Sequence, residues 1–258
     1  MAISVCIITY NEEKNIRRCL ESASWANEII VVDSLSEDRT VEIAREFTRD
    51  IHQRSWIGYV DQKNFAMSKA SNDWILSLDA DEQVSEALRE EILKEILNPA
   101  ARDGYRIPRR SFYQGKWIRF SGFYPDRQLR LFRRGKGHWT GGRIHEVLKA
   151  QGPISDLKND LLHYPYQGTI SGQIHALERY AGLYAQELHE KGKRFRMSAL
   201  LLRPVFKFLE VYFWKLGFID GLPGFLIAAT SSYGMFVRYV KLREIENGSK
   251  ILSKREGR

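Results

Sequence analysis

Cysteine is almost absent from this chain: Cys6 and Cys19 are the only two among 258 residues. Thiols so few, on what read as the first strand and the first helix, exclude a disulfide framework or a thiolate metal site, and they suit a reducing compartment. Glycine-rich phosphate loops are missing too. No G-x-G-x-x-G follows the first strand and no G-x-x-x-x-G-K-[ST] occurs, which argues against a dinucleotide dehydrogenase or a P-loop NTPase. A membrane-spanning run is also lacking. The charge-free stretch 221–237 is 17 residues long with Pro223, Gly224 and Gly234 inside it, short of the roughly 20 that cross a bilayer. The apolar stretch 3–8 has no basic leader and runs straight into Asn11-Glu12-Glu13-Lys14, so no secretory signal is expected and the cytosol is the expected compartment.

What is present is ordinary in amount and unusual in placement. Hydrophobic residues make up 43% and charged residues 28%, enough for a sizeable core in one domain or a domain with an appendage. The net charge of +8 is segregated. Residues 1–101 carry 11 basic and 19 acidic side chains, whereas 102–143 carry 12 and 2. Residues 144–189 carry 3 and 5, and 190–258 carry 14 and 6. This order suggests a metal site, then an anion site, then contact with an anionic surface.

Along the chain, apolar strands alternate with helices. Strands are expected at 3–8, 28–32 and 74–78. Helices are expected around Ile16, Leu20 and Ala23, around Val41, Ile43, Ala44 and Phe47, over 61–69, and over 85–98, where Leu88, Ile92 and Ile96 repeat at helical spacing. The segment near Ile51 is ambiguous. Such alternation predicts an α/β fold with a mainly parallel sheet. Polar residues stand at the C-terminal end of each strand: Thr9, Tyr10, Asn11 and Glu12, then Asp33, then Asp79 and Asp81. Ligands bind at that edge of an open parallel sheet. One aspartate after a strand is a turn former; three sets at three strand ends are better explained as a site. Asp79 and Asp81 lie at i and i+2, on one side of extended backbone, and paired carboxylates favour a divalent ion between them. The alternative is a strand end followed by an acidic helix N-terminus at Asp81 and Glu82.

The ordered series Thr9-Tyr10-Asn11-Glu12, Val31-Val32-Asp33-Ser34 with Ser36, Asp38 and Thr40, Gln62-Lys63-Asn64, and Leu78-Asp79-Ala80-Asp81-Glu82 resembles the donor half of a family 2 glycosyltransferase. The resemblance covers about the first 165 residues and implies a GT-A fold, a nucleotide-sugar donor and inversion at the anomeric carbon. It implies that Thr9, Tyr10, Asn11 and Glu12 pack on base and ribose and that Asp33 accepts from the base. Lys63 and Asn64 would lie near ribose and diphosphate, Asp79 would bond ribose or metal-bound water, and Asp81 would ligate Mn²⁺ or Mg²⁺. His163 reads either as a structural strand-end histidine or as a further metal ligand, since GT-A enzymes often recruit one downstream.

Residues 104–108 and 127–133 read as strands around an aromatic loop holding Phe112, Tyr113, Trp117, Phe120, Phe123 and Tyr124. Arginines among aromatics suit a sugar and phosphate site, with Arg130 the leading candidate. Single-stranded nucleic acid is the alternative for that composition, but it leaves Asp33, Asp79 and Asp81 unexplained, so no nucleic-acid partner is expected. An inverting transfer needs a base for the acceptor hydroxyl. Glu146, preceded by His145, matches the His-Glu pair of the lipopolysaccharide-core branch. Many family members instead carry Glu-Asp and a later Gln-x-x-Arg-Trp, and this chain has neither. A sugar-nucleotide pyrophosphorylase would share fold and metal but needs a Gly-rich basic loop where Tyr10-Asn11-Glu12-Glu13 stands.

The chain therefore divides into a catalytic domain over 1–165, with a nucleotide-sugar half to 101 and an acceptor half from 102, and a helical region over 166–258. In that region apolar helices, over 170–190 and 197–214, are flanked by Arg194, Arg196, Lys215, Arg238, Lys241 and Arg243. This composition suits helices lying in a membrane interface; packing on the catalytic domain or a partner subunit is the alternative. Over most of its length, Gly217-Phe218-Ile219-Asp220-Gly221 included, the chain resembles β-glucosyltransferases that extend the lipopolysaccharide inner core. That implies UDP-glucose as donor, a lipid A-linked heptose as acceptor, and a peripheral place on the inner face of the cytoplasmic membrane. Another lipid-linked or polysaccharide acceptor is the alternative within the family.

Overall fold

The structure, a computed structural model, describes residues 1–142 and 146–256. It forms two compact units, residues 1–112 with 124–167, and residues 113–123 with the chain from 168 onward.

The first unit begins with β1 (Ile3–Thr9), α1 (Ile16–Ala23), β2 (Glu28–Asp33), α2 (Thr40–Ala44), β3 (Ile51–Gln53), α3 (Tyr59–Lys69) and β4 (Trp74–Asp79). Every residue of β1 is buried, as a central strand covered on both faces requires. Ile3, Val5 and Ile7 meet Ile16, Leu20, Leu88 and Ile92 on one face, while Cys6 and Ile8 meet Ala66, Ile75 and Phe132 on the other. The ambiguous segment near Ile51 is the edge strand β3. After β4 come β5 (Glu82–Val84), α4 (Glu86–Leu97), β6 (Gly104–Tyr113), β7 (Lys116–Trp117, in the second unit), β8 (Asp126–Arg133), β9 (Gly137–Gly141), β10 (Glu146–Ala150), β11 (Ile154–Asp156) and β12 (Leu161–His163).

The sheet order is β3-β2-β1-β4-β8-β6-β12-β5, with β11 also beside β6, while β9 and β10 form a separate hairpin. β1, β2, β3 and β4 are mutually parallel, and β12 is parallel to β6; β8 runs antiparallel between β4 and β6. The expected mainly parallel α/β sheet is therefore present. Thr9 pairs with Asp33 and Ile8 with Asp79, so the polar ends of three strands share one edge.

The expectation of one extended run through Asp79 and Asp81 is corrected. β4 stops at Asp79, Ala80 and Asp81 form a turn, and β5 begins at Glu82. The acidic helix start is corrected as well: α4 begins at Glu86, where Ser85 caps it by accepting the Leu88 N–H.

The second unit is built from α5 (Ile170–Glu190), α6 (Met197–Leu209), a π turn at Glu210–Trp214, a 3₁₀ turn at Gly217–Asp220, and α7 (Leu222–Glu256). Ala185 of α5 packs with Tyr239 and Leu242 of α7. Lys241 donates to the Glu178 carbonyl at 2.8 Å and the Arg238 guanidinium lies 3.9 Å from the Tyr184 ring. These two cations, expected from sequence to face a membrane, instead tie α7 to α5. Among the described residues no helix is long and apolar enough to cross a membrane. Tyr113, placed in an aromatic loop from sequence, is buried and donates to Gln173 of α5.

Gly224 sits where the chain comes closest to itself, since a Cβ there would lie 1.8 Å from the Gly217 carbonyl oxygen. Beside it, the buried Asp220 carboxylate accepts the backbone N–H groups of Arg119 and Phe120 at 3.2 and 2.9 Å. Asp220→Ala would strand both amides and is expected to cost about 2–4 kcal/mol in urea unfolding, with Asp220→Asn costing less.

Candidate active site

The loop after β1 is held by the loop after β2. Ser36 Oγ accepts the Asn11 N–H at 2.8 Å, Thr40 Oγ1 accepts the Glu12 N–H at 2.8 Å, and Asp38 accepts the Glu13 N–H at 3.1 Å. Asn11, at φ 53°, is a non-glycine residue in left-handed backbone, and its Oδ1 accepts the Glu37 N–H at 2.8 Å. Asp33 is fully buried and accepts from the Ser36 N–H and hydroxyl and from Gln53. Three donors leave its carboxylate room for about one more. Tyr10 is 51% exposed, a ring free to stack, and the buried Thr9 hydroxyl has no partner among the described residues.

From this edge a line of alternating charges runs inward. Glu146 meets Lys63 at 3.2 Å, and Lys63 meets Asp79 at 3.0 Å. Arg130 bonds Asp79 at 2.7 Å and Glu82 at 2.8 Å; Arg109 bonds Glu82 at 3.2 Å and Asp126 at 2.6 Å. Lys63 and Arg130 are buried, with Trp139 covering them at 4.3 and 5.7 Å. Burial opposes charge on Asp79, but Arg130 and Lys63 outweigh it and hold this carboxyl below the usual range. The Nε and Nη1 atoms of Arg130 are buried without partners among the described residues.

Asp81 faces a different environment. Its Oδ2 lies 3.3 Å from His163 Nε2, while His163 Nδ1 shares a 2.9 Å hydrogen bond with Ser111 Oγ. A ring oriented through its far nitrogen is the arrangement metal-binding histidines use. Glu12 stands near: burial first, then the charge of Asp81, pushes its pKa up to about 7. No Lys or Arg among the described residues pairs with Asp81 as Lys63 and Arg130 pair with Asp79, and that fits a divalent ion. Among the described residues no three His, Cys, Asp or Glu side chains are grouped to hold an ion. An ion on Asp81 and His163 would therefore draw its remaining ligands from diphosphate and water.

Comparison with known proteins agrees with this geometry. The family model "Glycosyl transferase family 2" matches residues 4–152. The chain belongs to glycosyl transferase family 2. It is similar to the lipopolysaccharide core biosynthesis glycosyltransferase LpsC of Rhizobium meliloti, 33% identical over 94% of this chain and 92% of that protein. It is also similar to an uncharacterised glycosyltransferase of Rickettsia typhi, 32% identical over 94% of this chain and 87% of that protein. Among solved structures, S. aureus TarS 1–349 with UDP-GlcNAc aligns over 100% of this chain and 93% of that one, at 16% identity and TM-score 0.48. Membership of family 2 carries the GT-A fold, which the mainly parallel sheet of the first unit fits.

In the family 2 chain several sequence expectations take on a different physical meaning. Asn64 exchanges two hydrogen bonds with the Trp139 backbone, at 2.9 and 3.0 Å, so its amide pins β9 under the site. Part of the basic middle is ion-paired: Arg106 with Asp156, Arg110 with Asp160, and Arg133 with Asp103, besides the pairs of Arg109 and Arg130. These pairs reduce the free positive charge that the count along the chain suggested for an anion site. None of its six aromatics is an exposed platform. His145 lies outside the described residues. Glu82, Arg109, Asp126 and Trp139 join the site without having been singled out; the only sequence signal for Glu82 was its place directly after Asp81.

A test of the charge line follows from its burial. Glu82→Ala leaves Arg130 and Arg109 short of a carboxylate and is expected to cost about 3–5 kcal/mol, read by thermal unfolding. A pH test follows from Glu12. Its raised folded pKa means that ionisation destabilises the folded protein progressively from about pH 4.5, fully so above about 7. Glu12→Gln is therefore expected to stabilise the metal-free protein at pH 8 by on the order of 1–3 kcal/mol and to change little at pH 4.5.

Proposed function

We propose that the protein is a metal-dependent inverting glycosyltransferase that moves a sugar, glucose from UDP-glucose, onto an inner-core heptose of lipopolysaccharide. The observation that carries this reading is the convergence of Thr9, Asp33 and Asp79 on one sheet edge, joined through Lys63 to Glu146. Similarity to LpsC over nearly the whole chain supports the acceptor class. Another lipid-linked or polysaccharide acceptor is the alternative.

In this reading the loop of Thr9, Tyr10, Asn11 and Glu12 receives base and ribose, Tyr10 stacking and Asp33 accepting from the base. Asp81 and His163 hold Mn²⁺ or Mg²⁺, which when bound neutralises charge on the departing diphosphate. Asp79, fixed by Lys63 and Arg130, positions the donor's ribose. The buried unpartnered N–H groups of Arg130 are suited to an anionic oxygen of the substrate. Glu146 takes the proton of the acceptor hydroxyl as that oxygen attacks the anomeric carbon from the face opposite the leaving group. His145 orients the acceptor. The catalytic domain is taken as 1–165, and the protein works on the cytoplasmic side of a membrane that presents its glycolipid. A nucleic-acid-binding role is disfavoured because it leaves Asp33, Asp79 and Asp81 unexplained, and because Arg109 and Arg130 are committed to the carboxylates of the charge line.

Calorimetric titration with UDP-, GDP- and ADP-sugars, with Mn²⁺ and with EDTA, tests the reading. One donor class is expected to bind only with metal and to lose binding in Asp81→Ala; no binding under any condition would overturn it. Glu146→Gln is expected to keep donor binding and lower kcat about 10²–10⁴-fold.

A further inference from the structure

The second unit carries a helix that is inside out for a protein surrounded by water. An amphipathic surface helix buries its apolar stripe, yet α6 has no buried residue at all. Leu202, Val205, Phe206, Leu209 and Phe213 recur at helical spacing along α6 and the π turn, and all of them are exposed. Exposure reaches 64% at Phe206, 88% at Trp214 and 69% at Leu222. Contiguous apolar surface of this kind marks a contact site.

The charges around it identify the contact. Between residues 190 and 215 there are seven Lys and Arg against two Glu; Lys191 pairs with Glu187, and Lys207 and Lys215 pair with Glu210, which leaves Lys193, Arg194, Arg196 and Arg203 outside those pairs. Two copies of so basic a face would repel, whereas a plane of anionic headgroups attracts it. An open groove of about 790 Å³ runs along the same face; Phe206, Leu209, Phe213 and Met235 line it with Arg203 and with Lys207, which Glu210 of the same lining bonds at 3.0 Å. Apolar walls beside cations match an acyl chain beside a phosphate. No described helix crosses a bilayer, so the contact is interfacial.

We propose that α6 and the π turn through Trp214 form a membrane-docking face that lies in the headgroup region of an anionic lipid bilayer, its apolar stripe turned into the acyl boundary. The inference rests on the second unit alone and stands apart from the transferase reading.

The full chain would be sedimented with vesicles of phosphatidylcholine alone and of phosphatidylcholine with roughly 30% phosphatidylglycerol. Binding is expected at least tenfold tighter to the anionic vesicles and weaker at high salt. Brominated acyl chains are expected to quench tryptophan emission, and Trp214→Phe to remove much of that quenching. The double variant Phe206→Asp with Phe213→Asp is expected to lose at least tenfold in vesicle binding with an unchanged melting profile. Arg194→Glu with Arg196→Glu weakens only the anionic preference. Absence of binding to either vesicle would overturn the proposal. So would a dimer in sedimentation velocity that the same double Asp variant dissolves, which would make the face a contact between copies. Donor titration in the same preparation separates either failure from a failure of the transferase reading.

Discussion

The ammonium of Lys63 is the constraint on which the site depends. It is buried in the first unit, where an unpaired charge is untenable, and it is satisfied by Asp79 from β4 and Glu146 from β10. Asp79 in turn requires Arg130 from β8, Arg130 requires Glu82 from β5, and Glu82 requires Arg109 from β6. Each of these elements contributes one link, and because β5 lies at the sheet's far edge beyond β6 and β12, the line ties together strands that are not neighbours in the sheet. A buried ion pair adds little net stability against an apolar replacement, but breaking one partner away is severe. The line therefore acts less as glue than as a fixing device, giving each carboxylate one position. For a reaction that needs acceptor base and donor contact in register, such rigidity is worth more than stability.

Much of this was legible in the sequence, for a specific reason. Strands such as β1, β2 and β4 are near-continuous apolar runs that end in a polar residue, and parallel pairing puts all such ends on one edge. Asp33, Asp79 and the Thr9 loop could thus be grouped without coordinates. The helix with Leu88, Ile92 and Ile96 was equally plain, since apolar residues four apart line one side of a helix.

What sequence did not reveal is pairing across distance. The block from 102 to 143 counts as strongly basic along the chain, yet Arg106, Arg110 and Arg130 are answered by Asp156, Asp160, Asp79 and Glu82, all outside that block. A linear charge tally cannot see this, because neutralisation is a property of the folded sheet. Asn64 makes the same point: its motif neighbours suggest ligand contact, while its amide is occupied by the Trp139 backbone. The face of α6 shows the opposite case. Its apolar and basic residues were visible as composition, but only burial distinguishes a stripe turned inward from one turned out.

The two aspartates of Asp79-Ala80-Asp81 illustrate how one turn creates two chemistries. Had the strand continued, both carboxylates would point one way and share one environment. Because β4 ends at Asp79, the first carboxylate enters the charge line and is compensated by Lys63 and Arg130, while the second swings toward His163. A divalent ion placed at Asp79 would meet two fixed cations. Placed at Asp81, it meets an oriented imidazole and, close by, Glu12, whose pKa burial and then the charge of Asp81 push up to about 7. For the proposed metal-dependent transfer, electrostatics thus favours a division of labour in which Asp79 would be a fixed hydrogen-bonding group and Asp81 would be the carboxylate that takes the metal. Ala80, between the two, is buried in the same apolar cluster as Leu76 and Leu78 of β4, so the turn that parts the carboxylates is anchored in the core.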